Sequence, residues 1–212
     1  SSGSQGDRYT LWSWGADASG NGGRGSASSV SSPVQIGSDD DWTPMIVMGA
    51  NDAHAIKSDG TLWSWGIGSQ RGDGGSSVSS PVQIGSATNW YNLGTGYQNA
   101  WFINSSGELF GCGNGSAGKL GQSNTTSYSS MVQVAGTTWA QCSGGNAQTL
   151  ATKTDGTIWG WGNGGNGATW HNTTTDYSSP VQGIAGTDWW GAKGSVDIAD
   201  GWEAGVESSK FG

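Results

Sequence analysis

The sequence predicts an all-β protein: a β-propeller of about four blades built from repeats of about 49 residues, or part of a larger propeller. Three observations lead to this prediction. A tryptophan-rich pentapeptide recurs four times, two further blocks recur in step with it, and the composition is unlike that of a helical protein. The 212 residues include 40 glycines, and only 11% of them are charged. Because glycine weakens helix interiors, many short strands and turns are expected.

The first repeated block is LWSWG, which begins at Leu11 and again at Leu62. Related versions begin at Leu109, as LFGCG, and at Ile158, as IWGWG. Successive side chains of a strand point to opposite faces, so the two tryptophans of a copy share one face of the sheet. Both faces then carry bulky or apolar groups, as expected where sheets are stacked on both sides.

Two further blocks keep step with the pentapeptide. One follows it, as SSPVQIG at 31–37 and 79–85, SSMVQVAG at 129–136 and SSPVQGIAG at 178–186. The other precedes it, at 49–61, 96–108 and 145–157, and contains a tight-turn signal such as Ser58-Asp59-Gly60. Glycine supplies the positive φ of such a turn, so this strand is expected to fold back onto LWSWG as its antiparallel neighbour.

Ten tryptophans occupy positions fixed by the repeat, and we predict that they form the blade core. They are Trp12, Trp14, Trp63, Trp65, Trp159 and Trp161 of the pentapeptides, and Trp42, Trp90, Trp139 and Trp189, which follow the SSPVQ blocks. Each buried tryptophan removes roughly 200 Å² from water, so these positions are expected to dominate the stability of the fold.

Residues 1–212 are expected to form a single propeller domain, with repeats at approximately 11–61, 62–108, 109–157 and 158–212. The segment after the fourth SSPVQ block matches the strands that precede LWSWG elsewhere, and the chain starts with an LWSWG strand. These two half-units add up to one blade. The ring could close with four blades, belong to a larger ring, or exchange blade halves between subunits.

The repeated blocks resemble the regulator-of-chromosome-condensation repeat family, in the style seen in phage structural proteins and bacterial surface proteins. Blades of that family carry patterns close to SDGTLWSWG, GQLG and SPVQI, followed by a strand AGxxHTLAL. Here residues 118–121 approximate the GQLG loop, whereas Asp52, Asn99 and Gln148 stand where the family usually has histidine. The resemblance implies a propeller scaffold, commonly of seven blades.

Charge and composition exclude several functions. The formal net charge of −8 leaves no basic stripe for nucleic acid, and no apolar run approaches the roughly 20 residues that membrane insertion requires. Cys112 and Cys142 are predicted to be free core thiols, His54 a packed or surface strand residue, and Asp39-Asp40-Asp41 a solvated turn. We expect no catalytic residues, no metal and no cofactor.

The loops between LWSWG and SSPVQ differ most among the repeats. They cover residues 16–30, 67–78, 114–128 and 163–177. Loops on one rim of a rigid scaffold are the usual seat of recognition. The candidate interaction residues within them are Arg24, Arg71, Lys119, Trp170 and His171. Trp170 could be a contact anchor or could pack against its own blade.

These features predict a non-enzymatic structural or adhesion module. The first interpretation is a virion protein, such as a bacteriophage fibre, tail or capsid decoration, that presents its loops to other subunits or to a host surface receptor. Low charge and an exterior rich in Ser, Thr, Asn and Gly suit an exposed, salt-insensitive particle. The alternatives are a secreted or cell-surface bacterial interaction module and a guanine-nucleotide-exchange-type regulator. A virion or extracellular location and a possible homo-oligomer are expected.

Overall fold

Short antiparallel strands make up most of the regular structure. The structure is a computed structural model and describes residues 8–183, 186, 189–193 and 204–207, the last two segments as backbone. The strands in the described residues are β1 Trp12–Gly15, β2 Val30–Gln35, β3 Trp42–Met48, β4 Asp52–Lys57, β5 Leu62–Gly66, β6 Val78–Gln83, β7 Trp90–Gly96, β8 Asn99–Asn104, β9 Leu109–Gly113, β10 Tyr128–Gln133, β11 Trp139–Gly144, β12 Gln148–Lys153, β13 Ile158–Gly162, β14 Tyr177–Gln182, β15 Trp189–Lys193 and β16 Ala204–Glu207. Single 3₁₀ turns at Gly68–Gln70, Ser116–Gly118 and Gly165–Gly167 interrupt the loops.

The strands form three complete blades and two half-blades. Blade 1 is the sheet β3-β4-β5-β6, blade 2 is β7-β8-β9-β10, and blade 3 is β11-β12-β13-β14. Each is an antiparallel meander in which every strand pairs with its neighbours in the chain. The leading half-blade is β1-β2 and the trailing half-blade is β15-β16. This is the all-β blade architecture that the sequence predicts, and it makes the fold a β-propeller.

The predicted hairpin before each pentapeptide is confirmed and has a local cause. In blade 1, the Asp59 carboxylate accepts hydrogen bonds from the backbone N–H (2.9 Å) and the hydroxyl (2.7 Å) of Thr61. The Thr61 hydroxyl in turn accepts the indole N–H of Trp63 at 2.9 Å. The same bonds recur in blade 3 from Asp155 to Trp159. The aspartate therefore fixes both the turn and the first indole of the next strand.

A lysine completes this unit in blades 1 and 3. Lys57 ends β4, and its ammonium lies 4.9 Å from the ring centre of Trp42 and 4.5 Å from that of Trp63. Lys153 lies at 4.7 Å and 4.2 Å from the corresponding rings in blade 3. A cation held over indole faces is attracted by their negative charge density. Each lysine thus joins the first and third strands of its blade.

The hydrophobic core lies between the blades. One cluster joins Leu11 and Ile36 of the leading half-blade to Trp42, Ala53 and Trp65 of blade 1. A second joins blade 1 to blade 2, and a third joins blade 2 to blade 3. The second strand of each complete blade is buried along nearly its whole length, because neighbouring blades cover both of its faces. A single blade therefore depends on its neighbours for its stability.

A repeated hydrogen bond fastens each blade to the loop of the preceding one. The indole N–H of Trp65 donates to the backbone oxygen of Asn21 at 2.8 Å, and that of Trp161 donates to Lys119 at 2.8 Å. Cys112 holds this position in blade 2, and its thiol donates to the backbone oxygen of Gln70 at 3.2 Å. Cys112 and Cys142 are buried thiols that form no disulfide, as predicted. Burial raises the pKa of the Cys112 thiol far above its ordinary range.

The exposure of two tryptophans contradicts the prediction that they belong to the blade core. Trp12 is 50% exposed and Trp14 is 64% exposed, whereas Trp65 and Trp161, which hold the same position as Trp14, are buried. The reason is that β1 pairs with β2 alone among the described strands, so no second strand covers it. Trp42 and Trp139 are buried and Trp63, Trp90 and Trp159 are half-buried, as expected for core positions. The side chain of Trp189 lies outside the described part of the chain.

The first strands of successive blades contact one another in order around a common axis. β3 contacts β7, β7 contacts β11, and β11 contacts β15. The sheets are out of phase with the sequence repeats, because a blade begins near Trp42 while a sequence repeat begins at Leu62. In the residues that the structure describes, no helix has the length and apolarity needed to span a membrane.

Candidate interaction surface

One rim of the propeller gathers the loops that differ among the repeats. In a four-stranded meander, the first and third connections emerge at the same end of the sheet. The short turns 49–51, 97–98 and 145–147 therefore lie beside the long loops 16–29, 67–77, 114–127 and 163–176. The long loops begin where the sequence predicts and end one residue earlier. We call this end of the molecule the loop rim.

Arg24 holds the first long loop from the inside. Its side chain is only 6% exposed and pairs with the almost completely buried Asp17 at 3.2 Å. It also donates to the hydroxyl of Ser13 at 2.6 Å and to the backbone oxygen of Ser28 at 2.5 Å. A buried ion pair with several hydrogen bonds fixes geometry, and removing one partner leaves an unpaired buried charge. Arg24 therefore shapes the loop and presents little surface to a partner.

Arg71 does the same for the second long loop. Its side chain is 3% exposed, and it lies 2.5 Å from a carboxylate oxygen of Asp73. A second guanidinium nitrogen donates to the backbone oxygen of Ser76. Asp73 also accepts the backbone N–H of Gly75 at 2.9 Å. The guanidinium thus closes the loop on itself.

Lys119 anchors the third long loop without an acidic partner. The residue is 1% exposed, and its ammonium donates to the backbone oxygens of Tyr97 and Asn146, both at 2.9 Å. These oxygens belong to the short turns of blades 2 and 3, so one side chain connects three segments of the rim. Burial lowers the pKa of Lys119 to about 8, because the ammonium is separated from water.

The three cationic side chains predicted as contact residues are therefore internal anchors. Their burial disfavours direct contact with a partner, while the loops that they hold remain the predicted interaction surface. Sequence alone could not distinguish the two roles, because the anchoring oxygens come from distant segments. The one hint of an anchoring role in the sequence was the position of Lys119 within residues 118–121, which approximate the GQLG loop of the family.

Trp170 and His171 occupy the fourth long loop and are half-buried. The backbone of Trp170 has a φ of 61°, which turns the chain sharply at this point. The His171 ring lies 2.9 Å from the backbone oxygen of Val181 and packs edge-on against Tyr177, with ring centres 4.7 Å apart. His171 is thus held against its own blade, and a contact role for either residue stays a prediction.

A cleft of about 480 Å³ opens between blades 1 and 2 at the loop rim. Its walls carry no charged side chain and include the amides of Asn51, Gln70, Gln98 and Asn114 together with Tyr128. The amide oxygen of Gln70 is buried and has no hydrogen-bond partner in the described part of the chain. Amide and hydroxyl groups at a groove can bind peptide backbone or hydroxylated ligands by hydrogen bonds.

A buried polar pair lies at the start of β4, next to the rim turn 49–51. Asp52 and His54 are both 0% exposed, and the Asp52 carboxylate lies 2.6 Å from Nε2 of His54. The His54 ring also packs edge-on against Phe102 of the next blade, with centres 5.1 Å apart. No solvent reaches the pair, so its geometry fits a contact between blades and not a reaction centre. Among the described residues, no three metal-ligating acidic, histidine or cysteine side chains come together.

The side chains of the Asp39-Asp40-Asp41 turn are about half exposed, as expected for a solvated turn, and two of them also bind a lysine. Lys57 lies 2.7 Å from Asp39 and 3.0 Å from Asp41. Burial alone would lower the pKa of Lys57, but its hydrogen bonds to the two carboxylates and their charge raise it above its ordinary value. The acidic turn therefore stabilises the cation that bridges the Trp42 and Trp63 rings.

Comparisons with known proteins bear on the fold. No protein-family profile matches the chain, and no curated protein sequence does. The yeast RCC1 protein (Prp20) in its crystal structure with Kap60 is 19% identical, with a TM-score of 0.70 over 85% of this chain and 46% of that chain. The structure of Prp20p from Saccharomyces cerevisiae gives the same identity and TM-score over 48% of its length. Human WBSCR16 gives a TM-score of 0.69, with 19% identity, over 83% of this chain and 48% of that chain.

The chain spans about half of the length of these solved structures. This similarity of fold agrees with the family resemblance found in the sequence. At 19% identity it establishes the architecture and not the activity. The protein therefore has the fold of an RCC1-like repeat β-propeller.

Proposed function

We propose that this protein is a non-enzymatic interaction module that binds a protein partner through its loop rim, as a virion component such as a bacteriophage fibre, tail or capsid decoration. The observation that carries the proposal is the pre-ordered rim. Arg24, Arg71 and Lys119 hold three long loops from inside through buried ion pairs and hydrogen bonds. A surface that is ordered before binding loses less conformational entropy on association.

The chemistry of the rim also supports this role. Its surface is built mainly from hydroxyl and amide groups, with few free charges. Such a surface binds by hydrogen bonds and shape, which salt screens much less than it screens exposed ion pairs. A particle exposed to variable ionic strength would benefit from contacts of this kind.

Two alternatives differ in where the partner is found. A bacterial secreted or cell-surface module would use the same rim against another surface protein. An exchange-factor-type regulator is favoured by the fold, because the related Prp20p structure is described together with its binding to Gsp1p and histones. That activity in this chain would require a small GTPase as partner.

The first experiment locates the protein. An antibody raised against residues 1–212 is applied to purified virus particles, to culture medium and to cell envelopes of the producing population. Co-sedimentation with the particles through a density gradient is expected. Its presence only in medium or envelopes would contradict the virion role, and accelerated nucleotide release from a small GTPase would favour the regulator.

A matched pair of variants tests whether the rim binds. Tyr97 lies in a rim turn and is 41% exposed, while Tyr91 lies at the opposite end of the same hairpin and is 62% exposed. Tyr97→Ala should weaken binding to the isolated particle at least about tenfold, since exposed aromatic side chains are frequent contact anchors. Tyr91→Ala should leave binding unchanged. Equal effects of the two variants would refute a rim-specific contact.

A further inference from the structure

The cleft between blades 1 and 2 opens at a position that a lysine crosses between blades 2 and 3. Gln70 in blade 1 corresponds to Lys119 in blade 2, because their backbone oxygens accept equivalent hydrogen bonds, from Cys112 and Trp161. Lys119 donates to the short turns of blades 2 and 3 and so connects the two blades. Gln70 is shorter and uncharged, and it lines the cleft of about 480 Å³.

Gln70 also brings a hydrogen-bonding group without a partner to the cleft. The residue is 4% exposed, and its amide oxygen is buried with no hydrogen-bond partner in the part of the chain that the structure describes. Buried polar groups of folded proteins are nearly always hydrogen-bonded, and a buried acceptor without a donor lowers stability. A ligand in the cleft that brings a hydroxyl group to this amide would remove that cost.

Three other amides at the cleft are already held in place. The side-chain N–H of Asn114 donates to Oε1 of Gln98 at 3.1 Å. Oδ1 of Asn51 accepts a hydrogen bond from the hydroxyl of Ser19, in the first long loop, at 3.0 Å. Groups that are fixed before binding lose little conformational entropy when a ligand arrives. The walls are therefore arranged in advance of any ligand.

The charge of the cleft limits the kind of ligand that it can hold. Among the described residues, none that lines the cleft carries a charge. A carboxylate, sulfate, phosphate or ammonium group would lose water there without gaining a counter-charge, which is unfavourable. The net charge of −8 adds a general repulsion of anions. An uncharged ligand is therefore favoured.

The walls suit hydroxyl groups better than a peptide strand. The backbone oxygens of Asn51 and Gln98 are already bonded, to the N–H of Ile67 at 2.9 Å and of Asn114 at 2.8 Å. A peptide that binds by strand addition needs a row of unpaired backbone groups. Side-chain amides offer both donors and acceptors, and sugar hydroxyl groups do the same. Ile67 and Tyr128 add apolar surface for the C–H groups of a sugar ring.

We propose that the cleft between blades 1 and 2 binds an uncharged sugar, as part of a small oligosaccharide of hexose or N-acetylhexosamine units. The volume of the cleft lies within the range of roughly 300–1,000 Å³ that is usual for small-molecule sites. The amides of Asn51, Gln98 and Asn114 exchange hydrogen bonds with the sugar, and Gln70 accepts one from a hydroxyl group. Sugar binding is a separate property from the protein contact proposed for the loop rim, since it requires neither a protein partner nor a virus particle.

The first test measures which sugars bind. An array of neutral oligosaccharides of hexose and N-acetylhexosamine units, with sialylated and sulfated counterparts of the same structures, is probed with the purified 212-residue chain. Binding to at least one neutral structure is expected, with weaker binding to its charged counterparts. Absence of binding to every neutral structure would overturn the proposal, and so would a preference for the charged counterparts.

A substitution that copies the neighbouring blade tests where the sugar binds. Gln70→Lys gives the cleft the side chain that Lys119 provides between blades 2 and 3. It should raise the dissociation constant of the bound oligosaccharide, measured by isothermal titration calorimetry, at least about tenfold, because the lysine fills the cleft and adds a charge. Tyr91→Lys adds the same charge at the opposite end of the molecule, where the residue is 62% exposed, and should leave the constant unchanged. Equal affinities of the original chain and Gln70→Lys would overturn the proposal.

A second variant removes a wall amide without straining the fold. Gln98 has a φ of 64°, which glycine adopts freely, so Gln98→Gly keeps the turn. The loss of its hydrogen bonds to the sugar should weaken binding about tenfold. Unchanged affinity in this variant, with the melting temperature of the original chain, would overturn the assignment of the cleft.

An uncharged peptide separates the two classes of ligand. Acetyl-tetraserine amide is titrated in parallel with the oligosaccharide, and the sugar is expected to bind more tightly. Tighter binding of the peptide than of every sugar would make the cleft a peptide site and overturn the proposal. The particle contact would still stand after such a failure, because it is tested with Tyr97, which is not among the residues that line the cleft.

Discussion

At the scale of single residues, the structure separates cations that anchor loops from groups that are available to a partner. Lys119 is the clearest case, because its ammonium is buried and satisfied by two backbone oxygens. Asp59 and Asp155 show the opposite behaviour at the surface. Hydrogen bonds from the hydroxyl and backbone N–H of Thr61 and Thr157 lower the pKa of these carboxyl groups, so they remain ionised at moderately acidic pH.

The buried ammonium of Lys119 predicts an unusual pH dependence of stability. Its pKa is about 8 in the folded protein and 10.5 when solvated, so the unfolded chain holds the proton over that interval while the folded chain has released it. The free energy of unfolding should therefore rise as pH increases from about 8 to about 10.5, by about 1–3 kcal/mol. Below pH 8 both states are protonated and this contribution is constant.

Urea unfolding between pH 7 and 10.5 measures this contribution. Lys119→Met has a similar shape and no charge, so the difference in stability between the original chain and this variant should become more favourable to the original chain as pH rises. Subtracting the variant removes the effects of other groups, such as Lys57, whose raised pKa acts in the opposite direction in alkali. A pH-independent difference would contradict the assignment.

At the scale of elements, one indole N–H of a blade donates the hydrogen bond that fastens it to the long loop of the preceding blade. Trp65 makes this bond to Asn21, whereas the indole N–H of the neighbouring, equally buried Trp42 has no hydrogen-bond partner in the described residues. The two residues are buried to a similar extent and differ in this bond, and the Lys57 ammonium over the Trp42 ring would keep an aromatic face in the phenylalanine variant. They form a natural matched pair.

We expect Trp65→Phe to destabilise the protein by about 1 kcal/mol more than Trp42→Phe, because it also leaves the backbone oxygen of Asn21 without its donor. Guanidinium unfolding of both variants, followed by fluorescence and circular dichroism, gives the comparison. Equal losses would mean that packing alone, without the hydrogen bond, fastens the loop to the blade.

The strands and turns were largely predictable from sequence, but the contacts that each of them makes with distant segments were not. Repeated blocks such as Ser58-Asp59-Gly60 fix a hairpin by local hydrogen bonding, so the strands and their order followed from the pattern. The burial of Arg24 and Lys119 depends on oxygens that distant segments bring to them. The exposure of Trp12 and Trp14 depends on whether a second strand covers β1, which a repeat pattern cannot show.

At the scale of the whole molecule, neighbouring blades share hydrophobic cores, so the stability of each blade depends on the blades beside it. Because each cluster joins two neighbours, an outer half-blade has one stabilising contact where an inner blade has two. In repeat architectures such end units open most readily.

Hydrogen exchange provides the corresponding prediction. The amides of β1, which pairs with β2 alone among the described strands, should exchange at least about tenfold faster than those of β5, which lies between β4 and β6. The amides of β8 in blade 2, a strand that is buried along its whole length, should stay protected. Equal exchange rates in β1 and β5 would contradict this prediction.

The indole pairs also give the protein an optical signature. The rings of Trp42 and Trp63 lie 5.8 Å apart at 76°, and those of Trp139 and Trp159 repeat this geometry. Transition dipoles held so closely at a fixed angle couple and produce paired circular-dichroism bands of opposite sign. In blade 2 the partner of Trp90 is Phe110, so that blade contributes no indole couplet of this kind. The intensity of the couplet on heating should therefore follow the unfolding of blades 1 and 3 and not that of blade 2.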